Sequence, residues 1–224
     1  TAYEIPKRDW SSDVCSSDLY ITECRRLLHD ANGVFYSDQE LTDYINAARK
    51  RLVRDTGILR EIQTDATVTN QETYTFATLA YGTKTIDLIN INLYWGNTRI
   101  PLRYLPWTQF NAELRFWQNY VGRPIAFSMY GLNKYYLAPV PDQVYVTELD
   151  TVILPNDLVD NTSIEQIPDP FTSPVAFYAC HQAKYKEQSY GESEIFKQEY
   201  VKRMQNVLAS TYTRRMPNPY SSPY

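Results

Sequence analysis

Glycine is scarce in this chain, with seven residues in 224. Loops that cradle phosphate need clustered glycines so that the backbone can approach the anion. Seven scattered ones exclude a P-loop or a dinucleotide-binding fingerprint. Histidine is scarcer still, at two. His29 and His181 lie far apart, each in a segment of helical pattern, with no second ligand at metal-site spacing. Cys180 directly precedes His181, so on a helix the two side chains diverge and form no local dyad. Cysteines number three, too few and too dispersed for a disulfide framework, which points to a reducing compartment. No run of about 18 apolar residues occurs, so no membrane-spanning helix is expected. Charge of one sign is also lacking: the formal net charge is −4. Bulk nucleic-acid binding needs a basic face, which leaves room only for a local patch. Asp142, in the turn Pro139-Val140-Pro141-Asp142, reads as a turn cap and not as an acid catalyst. The expectation is therefore no cofactor, no metal and no enzyme.

Tyrosine, in contrast, is abundant: twenty residues against eight phenylalanines. A tyrosine buries a large ring while keeping one end wet, and the residue is enriched in the cores of protein interfaces. Aromatic residues also favour sheet faces, and for those in the middle of the chain both readings stand.

Thr1–Leu19 resembles the conceptual translation of a sequencing-adapter oligonucleotide, on both flanks of a variable gap at Ile5–Arg8. It is read as an artefactual leader outside the fold, with native N-terminal residues missing. Lys7 and Arg8 against Glu4, Asp9, Asp13 and Asp18 give that leader −2 of the net charge. Cys24 and Cys180 are the cysteines left.

Periodicity organises the rest. Tyr20–Ala31 reads as a short helix with Ile21, Cys24, Leu27 and Leu28 on one side, closed by Asn32-Gly33. Tyr36–Arg54 is the clearest helix. Ser37 and Glu40 form a capping box, Asp38 and Glu40 place negative charge in the first turn, and Leu41, Tyr44, Ile45, Ala48 and Leu52 make an apolar stripe. Gly57 is placed to end it. From Ile58 the period becomes two. Strands are expected at Glu61–Thr69 (Ile62, Thr64, Ala66 and Val68 sharing a face), Thr73–Phe76, Lys84–Leu93 and Arg99–Leu105. A helix over Thr108–Tyr120 carries Phe110, Leu114 and Trp117, and strands resume at Pro124–Met129, Lys134–Ala138 and Val144–Leu154. Pro170 and Pro174 lead into a helix capped by Thr172 or Ser173. Glu192–Thr213 is a second helix, with Phe196, Tyr200, Val207 and Leu208 on one face. The pair makes an αα-hairpin.

The fold class expected is α+β. A helical bundle comes from both ends of the chain (20–57 and 170–214), an antiparallel β-rich sub-domain with one inserted helix occupies 58–169, and 215–224 is an extended arm. Three prolines in Met216-Pro217-Asn218-Pro219-Tyr220-Ser221-Ser222-Pro223-Tyr224 bar a helix there. The basic cluster Arg49, Lys50, Arg51 and Arg54 has two readings: a solvated face complementing the helix C-terminus, or contact with an acidic partner or passing DNA. Arg214-Arg215 has the same two.

Tyr36–Val53, with Leu27-Leu28-His29-Asp30 ahead of it, resembles the N-terminal signature of tailed-phage head–tail adaptors, also called connector or head-completion proteins. Tyr136–Asp142 and Ala176-Phe177-Tyr178-Ala179 are similar to later parts of that family. The resemblance implies a structural virion protein assembled in the host cytoplasm, forming a homo-oligomeric ring (usually a dodecamer) under the portal protein and continuing the DNA channel. Its partners would be the portal, its own copies, a downstream tail component and DNA in transit, with no membrane. Met216–Tyr224 would be the portal-docking arm. Alternatives are a tail-tube or tail-completion protein, or a carbohydrate-type β-sandwich module with Trp95, Trp107 and Trp117 as platforms.

Overall fold

The computed structural model describes residues 16–113, 120–159 and 163–215. The expected leader up to residue 15, the later part of the inserted helix with Leu114 and Trp117, and the arm 216–224 lie outside the described residues. In chain order the elements are α1 (Ser16–Leu28), α2 (Asp38–Thr56), β1 (Arg60–Ala66), β2 (Thr73–Thr75), β3 (Thr85–Trp95), β4 (Thr98–Pro101), β5 (Arg103–Tyr104), α3 (Trp107–Glu113), β6 (Val121–Gly122), β7 (Ala126–Tyr130), β8 (Lys134–Ala138), β9 (Val140–Pro141), β10 (Val146–Ile153), α4 (Ser173–Lys186) and α5 (Tyr190–Arg215). The fold is α+β, with helices at both ends and mainly antiparallel sheets between them, as the sequence implied. Ser16–Leu19, grouped with the leader by sequence, form the first turn of α1.

The chain divides into two compact units: one takes the described residues up to Leu52 and from Asn156 onward, the other Val53–Pro155. In the first, α2 starts as its sequence dictates. The Glu40 amide donates to Ser37 Oγ at 3.2 Å. The reciprocal half of the capping box is absent, because the Glu40 carboxylate accepts from the Tyr44 hydroxyl at 2.8 Å and pairs with Lys186 of α4. Leu41, Ile45, Ala48 and Leu52 are fully buried along one stripe. Burying each leucine or isoleucine contributes about 1.5–3 kcal/mol. Gly57 ends the helix at φ +55, its amide donating to Val53 O at 2.7 Å. Cys24 on α1 and Cys180 on α4 are buried thiols, each within 3.9 Å of a carbonyl on the opposite helix. The α4–α5 hairpin is tied by Ser193 and His181: Ser193 Oγ lies 2.8 Å from His181 Nδ1 and 3.0 Å from His181 O. Residues 156–159 and 163–169, grouped with the β segment by sequence, cluster with the helices.

In the second unit two four-stranded sheets, β1-β10-β3-β4 and β2-β8-β7-β5, share one core that includes Phe76, Ile91, Leu93, Phe127, Leu137 and Leu149. The stretch Arg99–Leu105, expected as one strand, is two. β4 pairs with β3 and β5 with β7, so the chain changes sheets at the buried Leu102. Pro101, which cannot donate to a ladder, sits at the break.

The period of β1 is as expected, and the face shared by Ile62 and Val68 is the outward one. Ile62 and Val68 are 61% and 51% exposed, while Gln63 is buried. The Gln63 amide nitrogen donates to Thr151 Oγ1 at 2.7 Å and Thr85 Oγ1 at 3.1 Å, and its oxygen accepts from the Tyr81 amide at 2.9 Å. A buried amide satisfied on both ends avoids the penalty of an unpaired polar group.

Candidate assembly surfaces

The basic cluster of α2 does not act as one patch. Arg49 is entirely buried. Its Nε and Nη2 donate to the Glu165 carboxylate at 2.9 and 2.7 Å, and Nη1 donates to Asn156 O at 2.6 Å and Asn46 Oδ1 at 3.2 Å. The expectation that Arg49 offers itself to a partner or to DNA is therefore corrected: its charge neutralises Glu165 and ties Asn156 and Glu165 to the helix. Asn46 adds a further tie, donating to Leu158 O at 2.9 Å and accepting from the Leu158 amide at 2.8 Å. Lys50 is half-buried and paired with Asp157 at 2.6 Å. Arg51 and Arg54 are exposed. Arg214 and Arg215 are the last two residues of α5.

The connection between α1 and α2 is built around Asp30, whose organising role the sequence reading did not assign. Its carboxylate accepts from the amides of Val34, Tyr36 and Phe35 at 2.8, 3.0 and 3.1 Å. Burial opposes the charge, but these three amides and the Arg25 guanidinium outweigh it and hold the carboxyl below its ordinary value. Arg25 also donates to Tyr36 O at 3.2 Å and pairs with Asp38 at 2.6 Å. Gly33 adopts φ +65 against that guanidinium, where a Cβ would approach Nη1 to 2.7 Å. The loop is thus fixed, yet it turns Val34 and Phe35 outward, 76% and 77% exposed. The signal was present in sequence as Asp30 followed by Gly33, the usual chemistry of a side-chain-capped turn.

Aromatic side chains form the other notable surface. Trp107 packs on Tyr130 and Tyr136 with ring centroids at 4.4 and 4.7 Å. Tyr104 and Tyr130 remain about half exposed. Trp95 is 55% exposed and carries the Arg123 guanidinium 4.6 Å from its ring centroid. On the helical unit, Tyr185 and Tyr190 meet edge-on at 5.4 Å and both stay exposed. Tyr20, Tyr36, Tyr74, Tyr135, Tyr145 and Tyr200 are instead core residues.

Among the described residues no cluster of three or more His, Cys, Asp or Glu side chains is placed to hold a metal ion, and no helix is long and apolar enough to cross a membrane. The family model described as SU10 adaptor protein matches residues 17–223, which takes in both units. Among curated proteins none matches.

Proposed function

The chain belongs to the SU10 adaptor protein family, a structural adaptor component of the phage virion, and from that premise we propose that it assembles as a ring beneath the portal and continues the channel through which DNA passes. The observation that carries this reading is the extent of the family match, residues 17–223, over helices and sheets alike. The surface chemistry supports it. Exposed apolar and aromatic side chains are spread over both units, including Phe35, Trp95, Tyr104, Tyr130 and Tyr190, as expected of a protomer whose faces meet other subunits.

In this reading Lys50, Arg51 and Arg54 on α2, with Arg214 and Arg215 at the end of α5, contact acidic partner surfaces or DNA in transit. Met216–Tyr224 forms the arm that docks on the portal. The near-neutral charge of the chain suits a lumen along which DNA must slide, since phosphate contacts add affinity steeply with each paired lysine or arginine. Copies of the chain, the portal and the next tail component are the partners.

Size-exclusion chromatography with light scattering tests this. The chain alone is expected to elute as a monomer and to shift into a large complex when its portal partner is added. A monomer that persists at saturating portal contradicts the proposal.

A further inference from the structure

α1 and α4 bring together the two cysteines found among the described residues. Cys24 and Cys180 are 156 residues apart in sequence, and both are completely buried. The Cys24 thiol donates to Ala176 O at 3.9 Å, and the Cys180 thiol donates to Cys24 O at 3.9 Å. Each sulfur therefore sits over the backbone of the other's helix. The Cys180 thiol also meets the Cys24 thiol in a side-chain hydrogen bond; that contact, and then burial, push the Cys180 thiol well above its ordinary pKa. Small residues allow the approach: Ala176, Ala179 and Ala183 flank Cys180 along α4, all of them fully buried. Helices that meet on alanine come to the short end of the usual separation of about 8–10 Å between axes. Facing Cα atoms, each about 2.3 Å off its axis, then come within reach of the span of about 4.4–6.8 Å that a disulfide bridges.

We propose that Cys24 and Cys180 are a redox pair that closes into a disulfide once the virion leaves the reducing cytoplasm of its host, locking α1 onto α4. The inference takes the change of compartment from the virion assignment and does not depend on the ring. The oxidant is hydrogen peroxide, small enough to follow a brief opening of the α1–α4 contact. One thiolate attacks a peroxide oxygen and the O–O bond breaks; the sulfur becomes a sulfenic acid and hydroxide leaves. The neighbouring cysteine then attacks that sulfur. An S–S bond forms, the S–O bond breaks, and the oxygen leaves as water. In all, two thiols give up two electrons and two protons, and one peroxide becomes two waters. The first step is slow, because a buried thiol is rarely a thiolate, so the pair stays reduced through assembly. The second is fast, because the partner sulfur is already in contact. The bond closes a loop that takes in the whole β unit, and a cross-link over so long a loop strongly restricts the unfolded chain.

Mass spectrometry of peroxide-treated protein tests this. The full-length chain carries Cys15→Ala, which leaves Cys24 and Cys180 as its only thiols. The tryptic peptides that bear them hold no methionine to be oxidised alongside. The expected result is that the two peptides are joined, at about 2 Da below their summed mass, and come apart with dithiothreitol. The melting temperature of the oxidised chain is expected to rise by roughly 10 °C. With Cys24→Ala or Cys180→Ala the remaining thiol has no partner to condense with, and its peptide gains about 16 or 32 Da instead. The chain that keeps both cysteines decides the matter without either variant. If its two peptides stay separate, unchanged or each carrying added oxygen, the pair is overturned; if they join and the melting temperature does not rise, the lock is overturned. Either result leaves the virion assignment standing, since that comes from the family match.

Discussion

Arg49 and Glu165, 116 residues apart in sequence, meet inside the helical unit through a bidentate ion pair at 2.7 and 2.9 Å. Removing one member of such a pair leaves the other charge buried without a partner, which costs about 3–5 kcal/mol. Arg49→Ala is accordingly expected to lower the denaturant midpoint sharply. Arg49→Met combined with Glu165→Leu should recover most of the loss, because volume is kept and neither charge remains. Denaturant titration of the two variants measures it; equal losses in both would refute the pair as the origin of the effect.

The pair also marks where the sequence was legible and where it was not. α2 could be placed from its own residues: Ser37 at the start, four apolar positions at helical spacing and Gly57 at φ +55. Those signals are local. Arg49 was read as a surface charge because arginine is seldom fully buried, and its partner lies in a polar loop that no periodicity connects to α2. The burial of Gln63 could not be read for a related reason. Its strand alternates, but alternation does not say which face turns inward, and the partners that satisfy a buried amide, Thr85 and Thr151, are 22 and 88 residues away. The break at Leu102 is likewise invisible locally, since both halves of Arg99–Leu105 have strand chemistry. Which aromatic side chains stay exposed was legible only as an excess of tyrosine, not as positions.

Asp30 should give the stability of the α1–α2 loop a pH dependence. Its folded pKa lies below its ordinary value of 3.8, so the folded state holds its proton less tightly. The stabilisation is present above about pH 4 and is lost as pH falls through the lower, folded value. Asp30→Ala removes three charge-assisted amide bonds and should loosen the loop. Hydrogen exchange checks this locally: the amides of Val34, Phe35 and Tyr36 should lose protection first. Unchanged protection at those three amides would contradict it.

Gly82 should resist substitution. A Cβ there would meet Phe76 O at 2.2 Å, and backbone cannot yield as a flexible side chain does. Gly82→Ala is expected to cost about 1–3 kcal/mol through overpacking, read as a lower melting temperature. Gly131, where a Cβ meets nothing within 4 Å but φ is +72, should be affected only through its backbone. A melting temperature for Gly82→Ala equal to that of the unsubstituted chain would remove this account of the site.

Deleting Met216–Tyr224 should separate docking from folding. The truncated chain is expected to keep its melting temperature while binding the portal more weakly in a pull-down at matched concentrations. Docking at full strength without the arm would refute its assignment.

Negative-stain imaging of the chain co-expressed with its portal partner tests ring formation most directly. The expected image is an added annulus coaxial with the portal, its subunits in register around one continuous central channel. Portal particles without an added ring, with the chain remaining monomeric in the same preparation, would contradict it.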